Sequence, residues 1–341
     1  MEPTYTLDFS DVLIHPKPSQ LSSRSEVNLI RKFNFPVSGQ TWEGIPIIAA
    51  NMDTTGTFEI YEEFKKHKML CCLHKHYVIQ DFIDYGIENF DDDYFMISTG
   101  ISDSDFENLN SILNIVDSKW ICIDVANGYM RKLVDFCKRV RKEYPDKIII
   151  AGNVVSGDMT QTLIKEGFVD IVKVGIGGGS ACLTRMKTGV GVPQLTATMM
   201  CAAIAQELGG YIISDGGITC PGDMSKAFGG GADFVMAGGI FAGHDENPGE
   251  LIIENDKQYK LFYGMSSSHA MNKYEGSVAS YRTSEGRRIK VPYRGKLENT
   301  ILDYLGGIRS TCTYINAHNI ESIQSCCKFV MVRNQLNKIF A

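Results

Sequence analysis

Cys182 is the residue of this sequence whose surroundings most favour nucleophilic chemistry. It lies within Gly177-Gly-Gly-Ser-Ala-Cys-Leu-Thr184, whereas the other cysteines fall mostly in strand or helix patterns, where a buried thiol is the ordinary interpretation. A thiolate becomes reactive where it is exposed beside backbone dipoles, which a glycine-rich loop supplies. The same glycines could instead turn several carbonyl groups inward to hold a monovalent cation. The loop therefore predicts a covalent nucleophile or a cation site.

Two glycine pairs predict a binding site for a phosphate group. Ser214-Asp-Gly-Gly-Ile218 and Ala237-Gly-Gly-Ile240 each follow an apolar run. Glycines allow backbone N–H groups to approach an anion, although they also suit ordinary tight turns. Asp215 opens the first pair, and a carboxylate buried there would need donors such as a base edge or ribose hydroxyls. We therefore expect a phosphorylated ligand.

Two further motifs carry weaker signals. His74-Lys-His76 follows an apolar run, and a His-x-His pair at a strand end can begin a metal site. None of the remaining histidines immediately follows a strand pattern, which disfavours a metal-dependent hydrolase. Glu285 could act as a general acid or base, although a carboxylate in a polar loop is usually solvated.

Eight short apolar runs must position these residues. Continuous apolar runs separated by amphipathic helical patterns are typical of strands buried on both faces of a parallel sheet. They predict an α/β protein with a (β/α)8 TIM barrel, whereas a doubly wound open sheet would be expected to carry Gly-x-Gly-x-x-Gly after its first strand, which Ala49-Ala-Asn-Met-Asp53 lacks. The runs are 45–50, 69–73, 94–98, 120–124, 147–151, 170–174, 211–214 and 233–237, and the clearest helical patterns are 57–67, 104–116, 130–142, 158–166 and 297–305.

Two long segments interrupt the alternation. Residues 175–193 form a glycine-rich loop, and residues 243–297 form a polar excursion after the eighth strand. Both leave from the carboxyl ends of strands, where barrel enzymes build their active sites. We therefore expect one catalytic domain over residues 1–341, with 243–297 as an active-site loop or flap.

The composition limits the possible partners and compartments. The chain has 341 residues, 44% apolar and 22% charged, a mixture that excludes a disordered chain or a coiled coil. The net charge of −6 gives no bulk electrostatic reason to bind nucleic acid or an anionic membrane. No apolar window is long enough for a membrane span, and no signal peptide is visible. Adjacent cysteines such as Cys71-Cys72 fit a reducing compartment, so we expect a cytoplasmic protein.

The longest motifs together resemble the IMP dehydrogenase/GMP reductase family. The most specific is Val174-Gly-Ile-Gly-Gly-Gly-Ser-Ala-Cys182, followed by Lys187-Thr-Gly-Val-Gly191. The resemblance extends nearly end to end, through segments in the same order at 8–13, 23–27, 46–54, 74–77, 193–194, 214–217, 262–267 and 306–314.

Two features resemble the reductase branch of this family. Dehydrogenases typically carry an accessory regulatory domain after the second strand, but here only about 20 residues separate Leu73 from Tyr94. Dehydrogenases also use an Arg-Tyr pair on a mobile flap to activate water, whereas here Tyr281-Arg282 stands in the opposite order.

The resemblance implies NADPH-dependent reductive deamination of GMP to IMP and ammonia, a step of purine nucleotide salvage, by a homotetramer. Cys182 matches the nucleophile that attacks C2 of the guanine ring. Thr184 and Glu285 match the pair that handles protons while ammonia leaves. The thioimidate formed at Cys182 then accepts hydride, and collapse expels the thiolate.

The same resemblance assigns the binding positions. The nucleotide site comprises Ser180, Asp215, Gly216, Gly217, Gly238, Gly239, Gly264, Met265, Ser266, Arg282, Thr283, Ser284 and Gly286. The NADPH site, partly across a subunit boundary, comprises Lys75, Asp124, Val125, Ala126, Met265, Tyr281, Arg282, Ser310, Thr311, Cys312 and Thr313. A potassium ion is ascribed to Gly177, Gly179, Cys182 and Arg185. The chain departs from the reductase pattern at Gly178, where a proline is usual, and the glycine loosens this loop.

Two other functions stay open. An IMP dehydrogenase without its accessory domain would oxidise IMP with NAD. A catalytically inactive barrel would bind nucleotide as a regulator or scaffold, against which the intact set of Cys182, Thr184 and Glu285 argues.

Overall fold

The computed structural model describes residues 6–275 and 284–333. Within them the strands are β1 (Val12–Ile14), β2 (Arg31–Asn34), β3 (Thr41–Gly44), β4 (Ile47–Ala49), β5 (Leu70–Leu73), β6 (Phe95–Thr99), β7 (Trp120–Asp124), β8 (Ile148–Val154), β9 (Ile171–Val174), β10 (Tyr211–Asp215), β11 (Phe234–Ala237), β12 (Ile252–Glu254), β13 (Lys257–Tyr263), β14 (Arg288–Pro292) and β15 (Phe329–Met331). The α-helices are α1 (Phe58–Lys66), α2 (Ile79–Tyr85), α3 (Asp103–Leu113), α4 (Arg131–Glu143), α5 (Gly157–Lys165), α6 (Thr184–Thr188), α7 (Gln194–Glu207), α8 (Pro221–Gly229), α9 (Ser268–Glu275), α10 (Leu297–Ile315) and α11 (Ile323–Cys326). Short 3-10 turns lie at Phe9–Asp11, Arg24–Glu26, Ile87–Asn89 and Gly239–Phe241.

Strands β4 to β11 form a closed parallel barrel. Each pairs with the next along the chain, and β11 pairs back to β4. The predicted (β/α)8 barrel is therefore confirmed, and every predicted apolar run overlaps one barrel strand. The strands are mostly apolar because alternate side chains fill the barrel interior or face the surrounding helices, and both sides are buried. A buried cation departs from this pattern: Lys173 shares the interior face of β9 with Ile171 and is 3% exposed.

A hairpin closes the amino-terminal end of the barrel. Strands β2 and β3 carry Phe33 and Trp42, which pack on the barrel residues Phe234 and Trp120 with ring centroids 4.4 and 5.5 Å apart, respectively. Offset and edge-on aromatic packing of this kind buries large apolar areas. We call this group, with Phe35, the aromatic plug. The sequence patterns did not predict the hairpin.

A small antiparallel sheet stands at the opposite, carboxyl-terminal end. Strand β13 pairs with both β12 and β14, and α9 leaves the end of β13. Just before β14, Gly286 lies beside Cys182 in an isolated antiparallel bridge. The chain after β11 thus comes back over the mouth of the barrel.

Helix α10 runs ten residues beyond the predicted end at residue 305. Its buried face continues through Ile308, Cys312 and Ile315, and this packing outweighs the helix-weakening pair Gly306-Gly307. Among the described residues, no helix has the length and hydrophobicity needed to cross a membrane.

Candidate functional site

A cavity of about 270 Å³ lies at the carboxyl ends of the barrel strands. It brings together residues from the glycine-rich loop, the ends of β10 and β11, and the returning chain. Of the predicted site residues, its lining contains Gly177, Gly179, Ser180, Cys182, Thr184, Asp124, Val125, Ala126, Asp215, Gly216, Gly217, Gly238, Gly239, Gly264, Met265, Ser266, Glu285 and Gly286.

Cys182, Thr184 and Glu285 form a continuous hydrogen-bonded chain in this cavity. The Cys182 thiol donates to Thr184 Oγ1 at 3.2 Å, and the Thr184 hydroxyl donates to Glu285 Oε2 at 2.7 Å. Thr184 and Glu285 are 101 residues apart in the sequence. The chain offers a path by which a proton leaves the sulfur for a carboxylate, the arrangement that activates a thiol as a nucleophile.

Backbone hydrogen bonds hold Glu285 at this position. The Leu183 N–H donates to the Glu285 carbonyl at 2.5 Å, and the Glu285 N–H donates to the Ser266 carbonyl at 3.2 Å. The Arg287 guanidinium donates two hydrogen bonds to the Ser180 carbonyl. We call residues 264–275 and 284–287 the flap. Ser284 belongs to it and donates through its hydroxyl to the Gly286 carbonyl, without lining the cavity.

Glycine is required where the strand-end turns meet the glycine-rich loop. Gly216 and Gly217 have φ of +96° and +79°, a region that side chains rarely adopt. A Cβ on Gly239 would lie 2.3 Å from Ser180 Oγ. The cavity wall beside these turns is therefore bare backbone, as a phosphate-binding turn requires.

A largely buried ion cluster forms part of the cavity lining. Lys173 Nζ contacts Asp124 Oδ1 at 2.8 Å and Asp215 Oδ2 at 2.7 Å. Asn51 donates to Asp124 at 2.9 Å, and Asn153 donates to Asp215 at 2.9 Å. We call these five residues the floor. The sequence reasoning missed Lys173, although a lysine inside an otherwise apolar strand was a visible signal.

The charges of the floor stabilise one another. Burial alone would lower the pKa of Lys173, but the carboxylates of Asp124 and Asp215 hold it well above its usual range. Burial would likewise raise the pKa of Asp124, but Lys173 and Asn51 hold it below its usual value. Lys173 and Asp124 are therefore both ionised at neutral pH.

Asp53 anchors the flap to the barrel and was also missed. Its buried Oδ2 accepts hydrogen bonds from the Tyr263 and Tyr274 hydroxyls, each at 2.7 Å, and from Lys273 Nζ at 3.0 Å. Burial would raise the pKa of this carboxyl, but the three donors hold it below its usual value. Its partners lie more than 200 residues away in the sequence, so no local pattern marked it.

The two histidines of His74-Lys-His76 pack against tyrosines beside this anchor. His76 stacks on Tyr274 with centroids 3.6 Å apart, and His74 stacks on Tyr77 at 3.9 Å. Burial lowers the pKa of both imidazoles to about 4, so both are neutral at neutral pH.

A second cavity of about 660 Å³ adjoins the first and shares part of its wall. The two cavities share the lining residues Asn51, Asp124, Val125, Ala126, Met265, Ser266 and Glu285. The second cavity also brings in the predicted residue Lys75. A molecule bound in the second cavity would therefore meet one bound in the first beside Glu285.

The predicted positions 310–313 lie elsewhere. They fall in the second half of α10, where Thr311 bonds to Ser225 of α8 and Cys312 is fully buried. Among the described residues, neither cavity lining includes them. Barrel helices run opposite to the strands, so the end of α10 lies toward the closed end of the barrel. A contact from Ser310, Thr311, Cys312 or Thr313 to a ligand in these cavities would need a second copy of the chain. The predicted residues Tyr281, Arg282 and Thr283 lie outside the described residues.

The predicted cation residues lie on one bend of the glycine-rich loop. Gly177 has φ of +81° and packs against Arg185, whose guanidinium contacts Asp8 at 3.3 Å and the Val192 carbonyl at 2.9 Å. The Gly179 carbonyl accepts from the Cys182 N–H at 3.0 Å. The structure also shows α6 within the predicted loop 175–193, beginning at Thr184.

Comparisons with known proteins agree with this architecture. The model of the IMP dehydrogenase / GMP reductase domain matches residues 6–337. The chain is 54% identical to "GMP reductase 2" of Homo sapiens over 337 residues, covering 98% of this chain and 97% of the relative. It is 50% identical to "GMP reductase" of Vibrio vulnificus strain YJ016 over 344 residues, covering 100% and 98%. A full-length family match and relatives at this identity leave one assignment: the chain belongs to the IMP dehydrogenase/GMP reductase family.

Proposed function

We propose that the chain is a GMP reductase, which converts GMP, NADPH and a proton to IMP, ammonia and NADP⁺. The observation that carries the proposal is the hydrogen-bonded chain of Cys182, Thr184 and Glu285, opening into a cavity with bare glycine turns. The names of the relatives, at 50–54% identity over nearly all of each chain, support the same reaction.

The first cavity fits a purine nucleotide. The glycine turns at 216–217 and 238–239 present backbone N–H groups to the phosphate, and Asp215 accepts from the ribose hydroxyls. This orientation places the base toward Cys182. We assign Ser180, Gly264, Met265, Ser266, Ser284 and Gly286 to the same site, and Arg282 and Thr283 by resemblance.

Cys182 acts on C2 of the guanine ring, and the proton path explains how. As the sulfur–C2 bond forms, the thiol proton passes through Thr184 to Glu285. Glu285, now protonated, returns a proton through Thr184 to the exocyclic nitrogen, and the C2–nitrogen bond breaks to release ammonia. After hydride reaches C2, the sulfur–C2 bond breaks and the thiolate is regenerated with IMP.

The second cavity fits the nicotinamide cofactor, which supplies the hydride when bound. Its shared wall at Met265 and Glu285 would bring a nicotinamide ring against the purine. Lys75, Asp124, Val125 and Ala126 would hold the cofactor. Tyr281, Arg282 and residues 310–313 join this set by resemblance, the last from a second copy. The preference for NADPH rests on the same resemblance.

Four further expectations belong to the proposal. Backbone carbonyls of a glycine-rich bend are ligands that suit K⁺, and we assign Gly177, Gly179, Cys182 and Arg185 to it. The homotetramer, the cytoplasmic location and the single catalytic domain over residues 1–341, with its excursion at 243–297, stay predictions.

Product analysis tests the proposal. The protein is incubated with GMP and NADPH, and the loss of nicotinamide absorbance is followed while IMP and ammonia are quantified. Parallel reactions contain NADH with GMP, and IMP with NAD. Formation of IMP and ammonia in equal amounts is expected. Oxidation of IMP alone would identify a dehydrogenase, and nucleotide binding without either reaction would identify an inactive barrel.

A further inference from the structure

Lys173 lies between the two ligand-binding halves of the site, and the proposed reaction gives it no role. It is a barrel residue of β9, 3% exposed, and it lines the first cavity. Its one ammonium contacts Asp124, which lines both cavities, and Asp215, which lines the first. No other cation among the described residues lies within ion-pair distance of either carboxylate.

We propose that Lys173 is a positioning residue that couples the nucleotide half of the site to the cofactor half. This inference rests on the proposed function. Lys173 holds Asp215 for the ribose of GMP and Asp124 for the cofactor, so both ligands are oriented by the same buried ammonium.

The physical basis is the cost of two carboxylates sharing a buried space. Without the ammonium, like charges repel, and the two side chains must separate or one must take a proton. Either response changes the positions at which the Asp124 and Asp215 oxygens accept hydrogen bonds from the two ligands. Asn51 and Asn153 orient the carboxylates but carry no charge to offset them.

The floor also reaches the nucleophile loop. Asn153 donates to Asp215 and also to the Gly175 carbonyl at 2.6 Å, at the start of the glycine-rich loop that carries Cys182. A displaced Asp215 therefore disturbs the base of that loop as well as the ribose contact.

The test compares Lys173→Met with a matched buried lysine. Lys226 is 4% exposed and contacts Asp223 and the Phe9 carbonyl, away from both cavities. Wild-type turnover of GMP and NADPH is measured first, since its absence would overturn the proposed function itself. In Lys173→Met, we expect KM for GMP and KM for NADPH each to rise roughly 10- to 100-fold. Lys226→Met should lose thermal stability with both KM values unchanged.

Two more variants separate positioning from folding. Lys173→Arg keeps a cation that can contact both carboxylates, and it should recover part of both KM values. The double variant Lys173→Met/Asp124→Asn restores the net charge of the cluster, so GMP affinity, measured by calorimetry, should return toward wild type while KM for NADPH stays high. This variant also keeps the proposal testable if Lys173→Met does not fold. Folded Lys173→Met with either KM within twofold of wild type would overturn the coupling, as would a double variant whose GMP affinity does not recover.

Discussion

The floor and the flap meet at the same cavity but are held in different ways. The floor consists of side chains at strand ends, fixed by the hydrogen bonds of the parallel barrel and by opposite charges 2.7–2.8 Å apart. The flap is attached through the Asp53 carboxylate, which binds Lys273 and Tyr274, and through hydrogen bonds to the glycine-rich loop. The latter comprise the side-chain bonds of Glu285 and Arg287 and a few backbone bonds. Binding groups are thus preset, whereas Glu285 reaches the site on a segment that can open at smaller cost.

Removing the proposed nucleophile, which lies between the floor and the flap in the cavity lining, should give the largest effect. Cys182→Ala should lower IMP formation by about 10⁵-fold or more while GMP still binds, because the glycine turns and Asp215 are untouched. Product formation and calorimetric binding of GMP measure the two quantities, and the exposed Cys220→Ala is the control. Near-normal turnover in Cys182→Ala would contradict the mechanism and direct attention to Cys312.

Removing the flap carboxylate should slow the reaction without weakening binding. Glu285→Gln should lower kcat by roughly 10²–10⁴ with KM little changed, since proton transfer is lost while the floor keeps its geometry. Rapid quenching should trap bound GMP but little covalent adduct, and the exposed Glu254→Gln should behave as wild type. Accumulation of adduct that stalls before hydride transfer would instead place Glu285 with the cofactor.

Loosening the flap anchor should give a smaller effect of the same kind. Asp53→Asn keeps the size of the side chain but weakens its bonds to Tyr263, Lys273 and Tyr274, so we expect kcat to fall about tenfold and KM for GMP to change less. Hydrogen exchange of residues 264–275 should speed up while that of β9 does not. Equal acceleration in both segments would show that floor and flap open as one unit.

Lowering the pH should destabilise the flap but not the floor, and we expect this effect to be the smallest. Burial lowers the pKa of His74 and His76 from 6.5 to about 4. If opening of the flap exposes these imidazoles, they take up protons at a higher pH than they do in the packed structure. The stability that these neutral rings contribute is present above pH 6.5 and is lost as the pH falls toward 4. Asp53, Lys273, Lys75 and Asp105 are the charged groups that face them, and Asp53 stays ionised across this window.

The measurement is the protection factor of flap amides, corrected for intrinsic exchange. It should fall roughly tenfold between about pH 7 and about pH 5, with β9 unchanged. His76→Phe keeps the ring stacked on Tyr274 without a titrating group and should reduce the response. A flap whose protection does not vary with pH would show that these rings do not stabilise it.

The sequence predicts the strands that carry the floor far better than it predicts the contacts between their charged side chains. Barrel strands are apolar on both faces, so their runs stood out, and glycines marked Cys182. Lys173 and Asp53 were missed because their partners come from distant strands and from the flap, and only the closed barrel brings these together. Glu285 was assigned by resemblance, since a polar loop alone predicts a solvated carboxylate. Residues 310–313 were assigned in the same way and line neither cavity among the described residues, so their contact with a cofactor stays a prediction.

The aromatic plug limits the paths by which ligands can enter and leave the cavity. Because Phe33, Phe35 and Trp42 fill the amino-terminal end of the barrel, the described residues leave no passage from the cavity along the barrel axis. Under the proposed function, GMP, the nicotinamide cofactor, IMP and ammonia would therefore all enter or leave at the carboxyl-terminal end of the barrel. Since the two cavities share a wall there, a bound cofactor would close one side of the path by which ammonia leaves.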